Sequence, residues 1–161
     1  MKLGIVSDTH MPQRAKHLPA ALVDGLRGVD LILHAGDLTQ LFVLAELSQL
    51  APVVAVAGNV DPPELHEHLG RRKLIPAGRF TIGLVHGDNP RGNALAGALH
   101  AFEDEEVDCI VFGHSHQAYC EWHGDLLLLN PGSPTDKRWS PKPSYGILHV
   151  DDTLRGEIIY F

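Results

Sequence analysis

Cysteine is scarce in this chain of 161 residues. There are two, Cys109 and Cys120, and neither stands in a Cys-x-x-Cys pair or a zinc-finger spacing. A disulfide-built scaffold is therefore disfavoured, and a reducing, cytoplasmic setting is expected. Basic runs are also lacking. The densest is Arg71-Arg72-Lys73, in a chain of net charge −7, so no long nucleic acid is expected as a partner. No apolar stretch approaches the roughly 20 residues of a membrane helix. The first apolar run stops at Ser7-Asp8, too early for a signal-peptide core, and no membrane association is expected. Gly-x-Gly-x-x-Gly, a Walker loop and Gly-x-Ser-x-Gly are absent, which leaves nucleotide-cofactor and serine-hydrolase readings without support. No linker, repeat or low-complexity segment divides the chain, and one domain over residues 1–161 is expected.

What the chain has in quantity is histidine, eleven in all, together with short apolar runs rich in Val, Ile and Leu. The runs are Leu3–Val6, Leu31–Leu33, Val53–Ala57, Ile82–Val85 and Cys109–Phe112, and they have the look of buried strands in an α/β sheet. Helical spacing lies between them. It is seen in Leu18, Ala21, Leu22, Gly25 and Leu26, again in Leu41, Leu44, Ala45 and Ser48 with Leu47 widening the stripe, and again in Leu95, Ala98, Leu99 and Phe102. Strand–helix–strand order favours parallel strands with right-handed crossovers. The last third reads differently. Gln117–His123, Leu126–Asn130, Ser144–Val150 and Leu154–Phe161 suggest strands joined by short turns, forming an antiparallel second sheet or sheet edge. The expected class is α/β, with two packed sheets and helices outside.

Each of the five runs ends in a cluster of oxygen and nitrogen donors. These are Ser7-Asp8-Thr9-His10, His34-Ala35-Gly36-Asp37, Gly58-Asn59-Val60-Asp61, His86-Gly87-Asp88 and Gly113-His114-Ser115-His116. Ligands of open α/β sheets bind at the carboxyl ends of strands, so parallel strands would bring all five clusters to one place. The donors are carboxylate, imidazole and amide, with no thiolate, a mixture that suits Mn, Fe, Zn, Co or Ni. Seven donors exceed what one open metal site needs and suit two metals sharing a carboxylate. Two cations about 3.5–4 Å apart form a clamp for in-line displacement at phosphorus.

Asp8-x-His10, Gly36-Asp37, Gly58-Asn59-x-Asp61, His86 and Gly113-His114-Ser115-His116 resemble the ordered motifs of calcineurin-like metallophosphoesterases. The likeness is greatest to their small single-domain phosphodiesterase branch, whose Asn-Pro-Gly-Ser turn Asn130-Pro131-Gly132-Ser133 also resembles. The resemblance implies a four-layer αββα sandwich of two mixed sheets. It implies that Asp8, His10 and His116 hold one metal, that Asn59, His86 and His114 hold the other, and that Asp37 bridges, with catalytic roles for Asp37, Asn59 and His114. The activity implied is hydrolysis of a small phosphodiester or other phosphate ester by a metal-bridging hydroxide, with two divalent transition metal ions, manganese foremost. A phosphomonoesterase is a close variant. A non-catalytic interaction scaffold is the alternative from another class, since a retromer subunit shares the fold.

Two departures from the family pattern bear on the substrate. Many members carry His after Gly-Asn, where this chain has Val60, which neither protonates a leaving group nor binds phosphate. General acid catalysis contributes roughly 10²–10⁴ in rate, so its loss favours leaving groups that need little help. Many members also carry His two residues after the ligand at His86, where this chain has Asp88, a carboxylate expected to repel a doubly charged monoester. Both favour diesters. Among the remaining residues, His34 and Asp61 are expected beside the ligands rather than among them. His66 and His68 do not form His-Glu-x-x-His and are expected at the surface, and His17, His100, His123 and His149 carry no partner signal. Arg14 and Arg91 each follow a cluster by a few residues, within reach of a phosphate, although solvent is the commoner place for an arginine. Trp122 and Trp139 are expected to pack, although Trp139, on a loop, could touch a substrate. The apolar end Ile158–Phe161 could form a sheet edge open to pairing with a second copy.

Overall fold

A computed structural model describes residues 1–161. In chain order the elements are β1 (Lys2–Val6), α1 (Ala20–Gly25), β2 (Leu31–His34), α2 (Phe42–Ser48), β3 (Val53–Ala55), α3 (Pro63–Leu69) and β4 (Arg72–Ala77). They continue with β5 (Phe80–Val85), α4 (Ala94–Ala101), β6 (Cys109–Val111), β7 (Ala118–His123), β8 (Leu126–Pro131), β9 (Ser144–Val150) and β10 (Leu154–Tyr160). The strands form two five-stranded sheets, ordered β10-β9-β1-β2-β3 and β4-β5-β6-β8-β7. In the first, β1, β2 and β3 run parallel while β9 and β10 are antiparallel. In the second, β5, β6 and β8 run parallel and the edge strands β4 and β7 are antiparallel.

Alternation along the strands explains the layering. Side chains of a strand point to opposite faces in turn. Leu3, Ile5 and Leu33 therefore face Ile82, Leu84, Val111 and Leu129 across the gap between the sheets. Val6 and Ile32 face the other way, onto Leu22 and Leu26 of the α1 region, Leu47 of α2 and Leu65 of α3. On the far side of the second sheet, Ile110 and Leu128 meet Ala94 and Ala98 of α4 together with Phe102. The result is helices, sheet, sheet, helix: the expected sandwich, with the central strands covered on both faces and the edge strands β4 and β7 partly exposed.

Some expectations are corrected. Of the two arrangements expected for the last third, the antiparallel sheet edge holds and the separate second sheet does not. β7 and β8 complete the second sheet, β9 and β10 complete the first, and β8 runs parallel to β6. Strand β4 and helix α3 were not foreseen: α3 opens on Pro62-Pro63, which reads as a turn, and β4 is an edge strand containing Pro76 and alternating in burial. In α2 the buried residues are Val43 and Leu47, with Leu44 partly buried against the core, so Leu47 lies on the apolar face as expected while Leu41, Ala45 and Ser48 are exposed. Helix α4 buries Ala94, Gly97 and Ala98 and leaves Leu99 partly exposed. In helices of seven or eight residues, two periodic stripes fit equally well, and only the sheet beneath selects one.

Candidate metal centre

All seven expected donors sit where β1, β2, β3, β5 and β6 end, at the carboxyl edge of the parallel strands in both sheets. The chain leaves those strands abruptly. Asp8, His10, Asp37, His114 and His116 have φ of 56°, 43°, 58°, 69° and 58°. L-residues avoid this left-handed region at a cost of about 1–2 kcal/mol each. Backbone bonds between the loops hold it in place: Asp8 N–H donates to the Gly36 carbonyl (3.0 Å) and His10 N–H to that of Asp37 (3.0 Å). Two glycines let the loops close up. A Cβ on Gly58 would lie 2.1 Å from Asp37 Oδ1, and one on Gly113 would lie 1.9 Å from Ser7 Oγ.

The donor atoms face one another. Asp8 Oδ1 is 3.4 Å from His116 Nε2 and 3.8 Å from His10 Nε2, and those two nitrogens are 3.2 Å apart. Asp37 Oδ2 is 3.1 Å from His86 Nε2 and 3.6 Å from His10 Nε2, so it faces both halves of the cluster. Asp8 Oδ1 also lies 3.9 Å from His86 Nε2. Two groups of three, Asp8 with His10 and His116, and Asp8 with Asp37 and His86, have donor atoms all within 4.8 Å of one another. Asn59 Oδ1 is 3.0 Å from His86 Nε2 and 3.1 Å from His114 Nδ1. His114 thus reaches the cluster through Asn59.

Neighbouring groups aim these donors. His86 Nδ1–H donates to the Ala35 carbonyl (2.7 Å) and His116 Nδ1–H to that of Asp136 (2.6 Å), so each turns Nε2 inward. Asp8 Oδ2 accepts from Ser7 Oγ–H (2.7 Å) and from His114 N–H (3.0 Å). Its other oxygen, Oδ1, is buried with no hydrogen-bond partner. Orphaned buried acceptors are rare and costly; this one points at imidazole nitrogens in a site rich in ligand-type atoms, the environment a cation would satisfy. Asp61 accepts from Asp37 N–H (2.9 Å), Thr39 N–H (2.7 Å) and Gly58 N–H (2.7 Å), tying the second loop to the third. Ser133 Oγ–H donates to the Asp8 carbonyl (2.8 Å), and Asn130 Nδ2 donates to the Gly113 carbonyl (2.8 Å). The two carbonyl acceptors, Ala35 and Asp136, carry no sequence signal because any residue supplies one.

Charge follows the packing. Burial pushes the Asp8 carboxyl up, but His10, His86, His116 and Ser7 outweigh it and hold the pKa at about 2. Burial disfavours the charged form of His86 too and so opposes its protonation, yet Asp37, Asp8 and the Ala35 carbonyl raise its pKa to about 9. Without metal, a proton on His86 stands in for cationic charge between the carboxylates. His34 is fully buried, chiefly for that reason has a pKa lowered to about 3, and is neutral; Gly36 N–H donates to its Nδ1 (3.2 Å) and its Nε2 lies 3.1 Å from Thr9 Oγ1. It supports the loops from outside the donor set. His17, His100, His123 and His149 pair with Glu46, Glu103, Tyr119 and Glu157 away from the cluster. Asp88 is ion-paired with Arg71 at 2.6 Å, which weakens the expectation that its charge repels a monoester.

The fold and site define a two-sheet α/β sandwich with a candidate divalent-metal cluster at the strand ends. The chain belongs to the calcineurin-like phosphoesterase superfamily, whose domain model matches residues 1–153. It is 42% identical over 165 residues to a "Probable metallophosphoesterase" of Methanothermobacter thermautotrophicus, covering 99% of this chain and 92% of the relative. Among solved structures it is similar to one described as a novel archaeal phosphodiesterase, with TM-score 0.75, 26% identity and coverage of 99% and 100%. It is also similar to wild-type Vps29 of Entamoeba histolytica complexed with Zn²⁺, with TM-score 0.76, 27% identity and 99% of both chains covered.

Proposed function

We propose that the protein is a dinuclear-metal-dependent phosphodiesterase acting as a single domain on small substrates. The observation that carries this reading is the orphaned Asp8 Oδ1, buried among inward-turned imidazole nitrogens that come from loops distant in sequence. Asp8, His10 and His116 would hold one cation. Asn59, His86 and His114 would hold the other, and Asp37 faces both sets. Bound divalent cations supply Lewis acidity, lowering the pKa of water and neutralising charge that grows on phosphoryl oxygens. The protein's own contribution is orientation. The Ala35 and Asp136 carbonyls fix two imidazole tautomers, and Asp61 fixes the loops of Asp37 and Asn59.

Substrate approaches from the Asn59 and His114 side. Asn59 is exposed and His114 partly so, while Asp8, Asp37, His86 and His116 are buried. A shallow hollow of about 260 Å³ is lined there by Asn59, Asp88, Asn89, Pro90 and His114. Val60 is half-exposed beside it and contributes only its N–H, donated to Asp37 Oδ1 (3.0 Å). A site with no acid at that position is suited to diesters whose leaving group departs without much protonation. Manganese is the first metal to test, and Fe, Zn, Co and Ni suit the same donors.

The test is turnover of bis(para-nitrophenyl) phosphate against para-nitrophenyl phosphate by Mn²⁺-loaded protein, with Asp37→Ala as control. The diester is expected to be preferred and Asp37→Ala to fall to background. Preference for the monoester would overturn the inference from Val60. Likeness to Vps29 keeps a second reading, a protein-interaction scaffold with a retained metal site; equal inertness of wild type and Asp37→Ala on both esters would favour it.

A further inference from the structure

The wall of the hollow beside Asn59 and His114 has a second side. Asp88, Asn89 and Pro90 also line a neighbouring cavity of about 450 Å³, together with Arg71, Arg72, Arg91 and His100. Val85 and Gly87, the two neighbours of His86, belong to its wall. Three of the chain's eight arginines meet here, in a protein whose net charge is −7. Only one carboxylate, Asp88, is part of the lining. Arg72 is held in place by Glu105, the Ala101 carbonyl and the ring of Phe102, 5.0 Å away. Arg71 is ion-paired with Asp88 (2.6 Å). Arg91 has no ion-pair partner, and its loop is pinned by Arg91 N–H donating to Asn89 Oδ1 (2.9 Å).

An overall anionic protein repels an anionic ligand, so a local cationic surplus next to the reacting centre needs a use. We propose that this arginine cavity is a subsite for a second anionic group, a terminal phosphate carried by the same substrate whose diester lies at the metal centre. The substrate class is then a diester with a phosphorylated arm, such as a nucleotide ester bearing an additional phosphate. Guanidinium groups bind phosphate oxygens in pairs. Arg91 is free to do so, and Arg71 can turn from Asp88 to the ligand. This inference rests on the phosphodiesterase reading for its catalytic half, though not for binding at the cavity.

The experiment has two arms. In the first, metal-free protein is titrated with inorganic phosphate at low ionic strength while backbone amide NMR shifts are followed. With no metal present the donor cluster is acidic and has no attraction for phosphate. Saturable shifts are expected at Gly87, Asp88, Asn89, Arg91 and His100, weakened about tenfold in Arg91→Ala and partly restored in Arg91→Lys. Absence of such shifts, or shifts indifferent to Arg91, overturns the subsite. In the second arm, Mn²⁺-loaded protein is given thymidine 5′-(para-nitrophenyl phosphate) with and without a 3′-phosphate. The phosphorylated compound is expected to have the higher kcat/KM by about tenfold, and that ratio to approach one in Arg91→Ala. A ratio near one in the wild type overturns the link between cavity and substrate. Phosphate binding without turnover of either ester leaves an anion site standing and removes the phosphodiesterase reading instead.

Discussion

Asp8 has one carboxylate oxygen fully engaged, by Ser7 Oγ–H and His114 N–H, and the other idle in a buried site. The arrangement aims Oδ1 and depends on close approach of the loops. Gly58→Ala would force a Cβ to 2.1 Å from Asp37 Oδ1, so this variant is expected to fold but to lose metal affinity by about tenfold to a hundredfold, measured by titration with Mn²⁺. The titrating residues give a pH profile for the metal-free protein. The pKa of His34 falls from 6.5 to about 3 on folding, so its contribution to stability is present above pH 6.5 and lost as pH falls towards 3. The pKa of His86 rises from 6.5 to about 9, so its contribution is present below pH 6.5 and lost as pH rises through 9. Asp8, lowered from 3.8 to about 2, adds a loss only below pH 3.8. Urea midpoints in the presence of a chelator are expected to peak near pH 6.5; a midpoint that rises steadily to pH 9 would contradict the His86–Asp37 pairing.

At the scale of elements, short helices act as plugs over the sheets, and their buried positions are few. Helix α2 buries Val43 and Leu47 while Leu41, just before it, is half-exposed. Leu47→Ala is expected to cost about 2–5 kcal/mol through the cavity it leaves, and Leu41→Ala about 0.5 kcal/mol or less. Urea denaturation of the pair distinguishes this face from the stripe through Leu41, Leu44 and Ala45 suggested by spacing. The strands were legible because their apolar runs are continuous and end in polar clusters, so β1, β2, β3, β5 and β6 fall on the expected runs within one or two residues. Strand β4 was not, because an edge strand alternates and here contains Pro76. Partner choice for β8 and β9 was not legible either, since similar apolar strands can join either sheet and only packing between the sheets assigns them.

For the whole molecule, two sheets meet with their parallel strand ends at one edge, and the donors gather there. Strained φ angles at five of the seven candidate donors and a partnerless buried oxygen mean that the metal-free fold carries a cost that bound cations would offset. Added Mn²⁺ is therefore expected to raise the melting temperature, with a shift that keeps growing with the logarithm of concentration and reaches about 2.7 kcal/mol of stabilisation at a hundredfold excess over Kd. Calorimetry of Asp8→Ala should show that response flattened. No helix is long and apolar enough to cross a membrane.

The sequence alone determined the strand–loop pattern and the family and singled out seven candidate donors, because each candidate lies within four residues of the end of an apolar run and that order survives without coordinates. Tertiary structure decided the rest. It showed that Asp8 faces both halves of the cluster, that Arg71 neutralises Asp88, that the Ala35 and Asp136 carbonyls orient two imidazoles, and that arginines before β4 and after β5 share one cavity. Those facts depend on distances between segments far apart in the chain, and on backbone groups every residue possesses, neither of which a run of side chains records.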